Sequence, residues 1–338
     1  MYTAIMHASC NHLHPTGLAV VVITVWHVAT MQPALDAAIA RTQPVEQPSP
    51  QPIRARSLLG QPLQAPAIAA ERRATMEAEL AAAIADHDAE PTSELAIIWL
   101  GRRLAYLHRY DEAIKTYSDG LTHHPDSPRL LRHRGHRYIT LRDFAAAERD
   151  LARAADLVRD TPDEVEPDGQ PNSAGIPTST LQSNIHYHLG LVRYLSGDFH
   201  QALNAYRDCQ RVSSINNDMM IATTYWHYLT LRRLGRDDDA SALLGPITPE
   251  LTLIENHDYH RLLLMFKGVV SPDDARAAVA GSVSQATVAY GIALRHYLSG
   301  DTTAATTEFR QIVSGDLWPA FGHIAAEAEL ARQTAMTR

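Results

Sequence analysis

The stretch LGRRLAYLHRYDEAIKTY, residues 100–117, decides the fold, because it recurs. RGHRYITLRDFAAAERDL at 134–151 and LGLVRYLSGDFHQALNAY at 189–206 align beneath it without a gap. In each, a glycine precedes an aromatic by nine residues, an alanine follows three later, and a large residue four after that. The sets are Gly101, Tyr110, Ala113, Tyr117; Gly135, Phe144, Ala147, Leu151; and Gly190, Phe199, Ala202, Tyr206. The first two are offset by 34 residues and the third lies 55 further on, which is 34 plus an insertion of 21. Where two antiparallel amphipathic helices cross most closely, only Gly or Ala fits. A hairpin of this kind cannot bury its apolar face alone, so the units must stack.

Composition agrees. The 338 residues are 45% hydrophobic and 20% charged, enough for a sizeable core, and few aromatics with abundant Ala favour closely packed helices. Later units are more degenerate, but their turns recur at Gly197, Gly235, Gly268 and Gly300, each closing a helix. YLSGD occurs twice, at 194–198 and 297–301, and Ala240-x3-Leu244 and Ala305-x3-Phe309 continue the second-helix pattern. The count is six hairpins from about 94 to 317, with helix 67–93 before them and helix 318–338 after them as terminal caps.

These residues resemble the tetratricopeptide repeat family, whose pattern is W-x2-L-G-x2-Y, then A-x3-F, then P. Unit 94–127 matches at Leu100-Gly101, Ala113-x3-Tyr117 and Pro125, with Ile97 in place of Trp and Leu104 in place of Tyr. Unit 128–161 keeps Gly135, Tyr138 and Ala147, and unit 183–216 keeps Leu189-Gly190 and Ala202-x3-Tyr206. The resemblance covers about three quarters of the chain and implies an all-α fold, an α-solenoid in which tetratricopeptide-like hairpins build a right-handed superhelix. Units 1–2 would fill 94–161 and units 3–6 would fill 183–317. Between them, 162–182 begins PDEVEPDGQPNSAGIPTST, too rich in Pro, Gly and Asp for a helix. It reads as a surface loop or as a loop folded onto the concave surface.

The N-terminal 40 residues read as a signal peptide. LAVVVITVWHVAT, residues 18–30, is too short to span a bilayer comfortably, and Ala38-Ile39-Ala40 resembles a cleavage site. No Lys or Arg precedes the run. The expectation is export to a periplasmic or extracellular space, with a cytoplasmic chain as the alternative and no stable membrane span after cleavage. Residues 41–66 hold six prolines and are expected to be a disordered linker with no binding role. Two cysteines, Cys10 and Cys209, make neither a disulfide framework nor a zinc cluster, and Cys209 reads as an inert buried thiol.

In the tetratricopeptide family the first helix of each hairpin lines the concave groove that holds the ligand. By that resemblance, Arg129, Arg132 and His136 would face the groove from unit two, and Arg102 would sit beside His136 from unit one. Tyr187, Tyr194, Tyr225 and Arg232 would continue the groove through units three and four. Such a surface, basic at one end and tyrosine-lined at the other, suits an extended acidic peptide, because Arg holds a carboxylate bidentately. The Lys and Asn positions of the family's carboxylate clamp hold Ile98, Arg102, Arg132 and His136, so that ligand does not carry over. The alternative is that these arginines pair with acids of neighbouring helices. A net charge of −8 opposes nucleic-acid binding.

The 18 histidines include the pairs His133/His136, His186/His188 and His257/His260, but no H-E-x-x-H or C-x-x-C. Walker, G-x-G-x-x-G and G-x-S-x-G motifs are also absent. The expectation is a protein-interaction scaffold rather than an enzyme, with no cofactor or metal and with a protein or peptide partner. The alternative is an enzyme or metal-handling protein built on ENHDYHR, residues 255–261, around His257, Asp258 and His260.

Overall fold

The structure, a computed structural model, describes residues 53–213, 216–279 and 282–336, all within one compact unit. The apolar run 18–30, the Ala38–Ala40 site and Cys10 lie outside the described residues.

After a short β-hairpin, β1 (Ile53–Arg56) and β2 (Pro62–Gln64), the chain is helical. α1 (Ala70–Ala89) leads into six antiparallel hairpins among the described residues. They are α2 (Glu94–Tyr106) with α3 (Tyr110–His123), α4 (Pro128–Thr140) with α5 (Phe144–Val158), and α6 (Leu181–Ser196) with α7 (Phe199–Ser213). Then come α8 (Asn217–Arg233) with α9 (Asp237–Leu243), α10 (His257–Lys267) with α11 (Pro272–Ala277), and α12 (Ser282–Leu298) with α13 (Thr302–Val313). α14 (Phe321–Met336) ends the chain. Each hairpin packs on the next, which makes this an all-α solenoid of tetratricopeptide-like units.

Local sequence sets the helix starts. The side chains of Ser93, Ser127, Asp143, Thr180, Asn216, Ser271 and Asp301 each accept a hydrogen bond from the backbone N–H three residues on, worth about 1 kcal/mol apiece. The repeating glycines do what their spacing requires. A Cβ on Gly101 would lie 2.2 Å from the Tyr117 ring, one on Gly135 2.7 Å from Leu151, and one on Gly190 2.7 Å from Tyr206. The large residue of each set therefore fills space beneath the glycine of its own hairpin.

The turn of each hairpin needs one left-handed residue. Gly197, Gly235, Gly268 and Gly300 supply it, but the first two hairpins use His108 at φ 60° and Arg142 at φ 67°. A residue with a Cβ is strained there by about 1 kcal/mol or more. Both side chains are engaged: His108 Nδ1 lies 2.9 Å from the Tyr110 hydroxyl, and Arg142 is buried against the C-terminal helix.

Two expected boundaries change. Residues 53–64, assigned to the linker 41–66, form the β-hairpin, with Gly60 at φ 80° in its turn and Pro62 opening β2. The Gln64 carbonyl accepts from Trp318 Nε1 at 2.6 Å and the Leu58 N–H donates to Glu327 Oε2 at 3.1 Å, so this part of the tether is packed. Secondly, 318–338 is not a cap on the far end alone. Trp318 meets Tyr110 edge-on at 5.6 Å, in the first hairpin. Ile324, Ala325, Ala326 and Glu327 of α14 are fully buried. Arg142 clamps Glu327 through Nε at 3.1 Å and Nη2 at 2.5 Å, and His323 Nε2 lies 3.1 Å from the same carboxylate. The solenoid curls until its last helix meets its first hairpins.

Candidate functional site

On α4, Arg129 and Arg132 face a segment of the chain itself, DEVEPDGQ at 163–170, from the connection between α5 and α6. Arg129 holds the Glu164 carboxylate with two guanidinium nitrogens, Nε donating to Oε1 at 2.7 Å and Nη2 to Oε2, while Nη1 donates to Glu94 at 3.0 Å. Arg132 Nη2 lies 3.3 Å from Glu166 Oε1, and its Nη1 donates to His133 Nδ1 at 3.0 Å. Because arginine only donates, His133 Nδ1 accepts and the ring proton sits on Nε2, itself 3.3 Å from Glu166 Oε1. Asn184 Nδ2 donates to the second Glu166 oxygen at 3.0 Å. Burial pushes the Arg132 guanidinium below its ordinary value, with Glu166 pulling the other way. Burial, reinforced by Arg132, also holds the His133 imidazole well below its usual range, so it is neutral.

The main chain of the segment is gripped as well. Arg102 Nη1 on α2 donates to the Pro167 carbonyl at 2.7 Å, and Arg103 Nη1 to the Gly169 carbonyl at 3.2 Å. Gly169 approaches α2 so closely that a Cβ there would lie 1.8 Å from the Tyr106 hydroxyl oxygen. At the other end, Asn216 Nδ2 donates to the Thr178 carbonyl at 2.8 Å, and the Thr178 hydroxyl donates to Glu255. Of the two sequence readings of 162–182, the loop folded onto the inner helices is the one found. Its acids were visible in DEVEPD, but sequence alone does not say which arginines they meet.

Beside this contact a cavity of about 270 Å³ remains between α2 and the segment. Leu95, Ile98, Trp99, Val165 and Leu181 give it apolar walls, and Arg102, lying over the Trp99 ring at 4.7 Å, forms its cationic side.

The remaining expected groove residues are placed differently. His136 turns from the segment toward His188, ring centroids 4.4 Å apart, and Phe321 at 5.5 Å. Tyr187 accepts from Trp226 Nε1 at 2.9 Å and meets the Tyr259 hydroxyl at 3.2 Å. The Tyr194 and Tyr290 hydroxyls lie 2.8 Å apart, and Tyr225 stacks on Tyr259 at 4.8 Å. Tyr194 and Tyr225 are fully buried, so the expected tyrosine-lined groove is instead a closed core. The inner faces of α6, α8, α10 and α12 meet one another, and large rings fill the space. Arg232 donates to Asp237 and to the Tyr228 hydroxyl, each at 2.8 Å.

The 255–261 cluster is divided among separate structural partners. His260 Nε2 lies 2.8 Å from the Thr248 carbonyl, Arg261 donates to Asp258 at 3.1 Å, and buried Asp218 accepts the backbone N–H groups of Ile254, Glu255 and Asn256. Cys209 is buried beside Ser213 and Thr223, and burial pushes its thiol up to about 11, the state of an inert packing cysteine. Among the described residues no group of three His, Cys, Asp or Glu is placed to hold a metal, and no helix is long and apolar enough to cross a membrane.

No family model and no curated protein matches the sequence. Among solved structures, the chain is similar to a tetratricopeptide repeat protein from Parabacteroides merdae ATCC 43184, with a TM-score of 0.45 and 14% identity, over 76% of this chain and 93% of that one.

Proposed function

We propose that this chain is a protein-interaction scaffold whose basic inner face on α2 and α4, centred on Arg102, Arg129 and Arg132, receives an extended acidic segment of a partner protein. The observation that carries the reading is the grip on residues 163–170. Arg129 takes a carboxylate with two nitrogens while Arg102 and Arg103 reach alternate peptide carbonyls, those of Pro167 and Gly169, as recognition of an extended acidic strand requires. His136, Tyr187, Tyr194, Tyr225 and Arg232 then act by shaping the scaffold. Export is part of the proposal and rests on residues 1–40; N-terminal sequencing of the mature protein would show a start near residue 41, and an intact Met1 would remove it.

The test is affinity capture followed by mass spectrometry, comparing the native chain with Arg102→Gln/Arg129→Glu at low and moderate salt. The expected result is an acidic partner held by the native chain, weakened by salt and lost in the variant, with unchanged helical circular dichroism. A partner held equally by both would place recognition elsewhere.

A further inference from the structure

We infer that residues 163–170 are an internal stand-in for the partner, and that the partner segment has the form Glu-Φ-Glu-Pro, with Φ a large apolar or aromatic side chain that fills the cavity this chain leaves open. The inference rests on the acidic-segment reading above and adds the motif and the competition.

The contact made by 163–170 is built like a bound peptide rather than like a core. Nearly all of its links to α2 and α4 are polar: two carboxylates and two carbonyls on four arginines. Little apolar surface goes with them, since Val165, between the two glutamates, stays 63% exposed although it lines the cavity. A strand held this way stays in place chiefly because it is tethered, through the high effective concentration that tethering gives. It can therefore yield to a free strand that makes the same polar contacts and an added apolar one.

The cavity defines that added contact. Its apolar walls, Leu95, Ile98, Trp99 and Leu181, surround about 270 Å³ next to Val165. Leu95, on the wall of the same cavity, is 59% exposed and so available to cover an inserted side chain. A Phe or Leu in the place of Val165 would reach this space, and the extra buried area corresponds to about tenfold in affinity. The two glutamates would take the places of Glu164 at Arg129 and Glu166 at Arg132. The proline would keep its carbonyl turned to Arg102 as Pro167 does.

The experiment measures fluorescence polarisation of labelled DEVEPDGQ and DEFEPDGQ with the full-length chain, with Glu164→Gln, and with Glu164→Gln/Glu166→Gln. The single variant changes an exposed pair and keeps the fold if the double does not, and circular dichroism checks both. The expected result has three parts. DEFEPDGQ binds about tenfold more tightly than DEVEPDGQ, both bind the glutamine variants at least threefold more tightly than the native chain, and Arg129→Glu abolishes binding. Equal affinity for native and glutamine variants would overturn the stand-in while leaving the acidic-segment reading intact. Equal affinity of the two peptides would overturn the role of the cavity. Absence of binding to every variant, or binding untouched by Arg129→Glu, would overturn both readings.

Discussion

The inner side of the solenoid is filled in two different ways. Under α6, α8, α10 and α12 it is filled by rings: Tyr194, Tyr225, Trp226 and Tyr290 are buried, Trp226 stacks on Tyr290 at 5.9 Å, and the Tyr194 and Tyr290 hydroxyls bond each other. Under α2 and α4 it is filled by a polar strand held on arginines, with one side chain, Glu166, buried and its neighbour Val165 exposed. An aromatic core is stabilised by area removed from water and by close packing, so it comes apart only with the fold. On the strand only the Glu166 pair is buried, and the half-exposed Glu164 pair contributes little net stability, so the strand can separate at lower cost than the aromatic core while the helices persist. The same helical repeat therefore builds a permanent half and an exchangeable half, and the difference lies in what the first helix of each hairpin presents inward.

That contrast can be broken in order of expected effect. Trp226→Ala removes a buried indole and its hydrogen bond to Tyr187, at a cost of about 3–5 kcal/mol. Urea denaturation followed by circular dichroism reads this directly, and a loss under 1 kcal/mol would mean the aromatic half is not a packed core. Glu327→Ala leaves Arg142 buried without its partner at the seam between the halves, and should cost about 3 kcal/mol.

The seam also carries a pH dependence. Burial and Arg132 push His188 down to about 3, so it stays neutral in the folded chain while the unfolded chain protonates it near 6.5. Stability is therefore complete above pH 6.5 and is lost as pH falls, by about 2 kcal/mol at pH 5 for His188 alone. His133 and His136, both held well below the usual range chiefly by burial, add with the same sign. Denaturation midpoints between pH 7.5 and 5 measure it, and a flat profile would show these rings to be solvated. The smallest expected effect is on the exchangeable side. Glu164→Gln weakens a half-exposed pair and should cost no more than about 1 kcal/mol, yet it should expose 163–170 to limited proteolysis.

The helices were legible in the sequence because their constraint is local and repeats. Gly101 and Tyr117 mark their hairpin wherever it sits in the chain, since the close crossing belongs to the hairpin itself. The turn at Arg142 was not legible: four of the other turns use Gly, and nothing nearby reveals that this arginine pairs with Glu327, 185 residues away. The curl that closes the tyrosine half has the same origin, being a sum of small inter-hairpin rotations that no single unit encodes. Of the candidate site, Arg129 and Arg132 were found on one face by helical spacing and Arg102 by its matching place in the repeat, while His136, read on the same face, packs against His188 and Phe321. Glu164, Glu166, Pro167 and Gly169 were not assigned to it, because an irregular segment has no period from which to read its partners.

Hydrogen exchange resolved by mass spectrometry tests the exchangeable half most directly. The Glu166 N–H donates to the Ser179 carbonyl at 3.2 Å and the Leu181 N–H to the Glu164 carbonyl at 2.9 Å, so docking of the segment protects amides that report on it. The expected result is protection of 163–181 well above that of a free peptide but far below that of α8, with Glu164→Gln accelerating this segment alone. Exchange at free-peptide rates would show that the segment is not held on the arginines. Exchange in step with α8 would show that it belongs to the core and cannot yield its place to a partner.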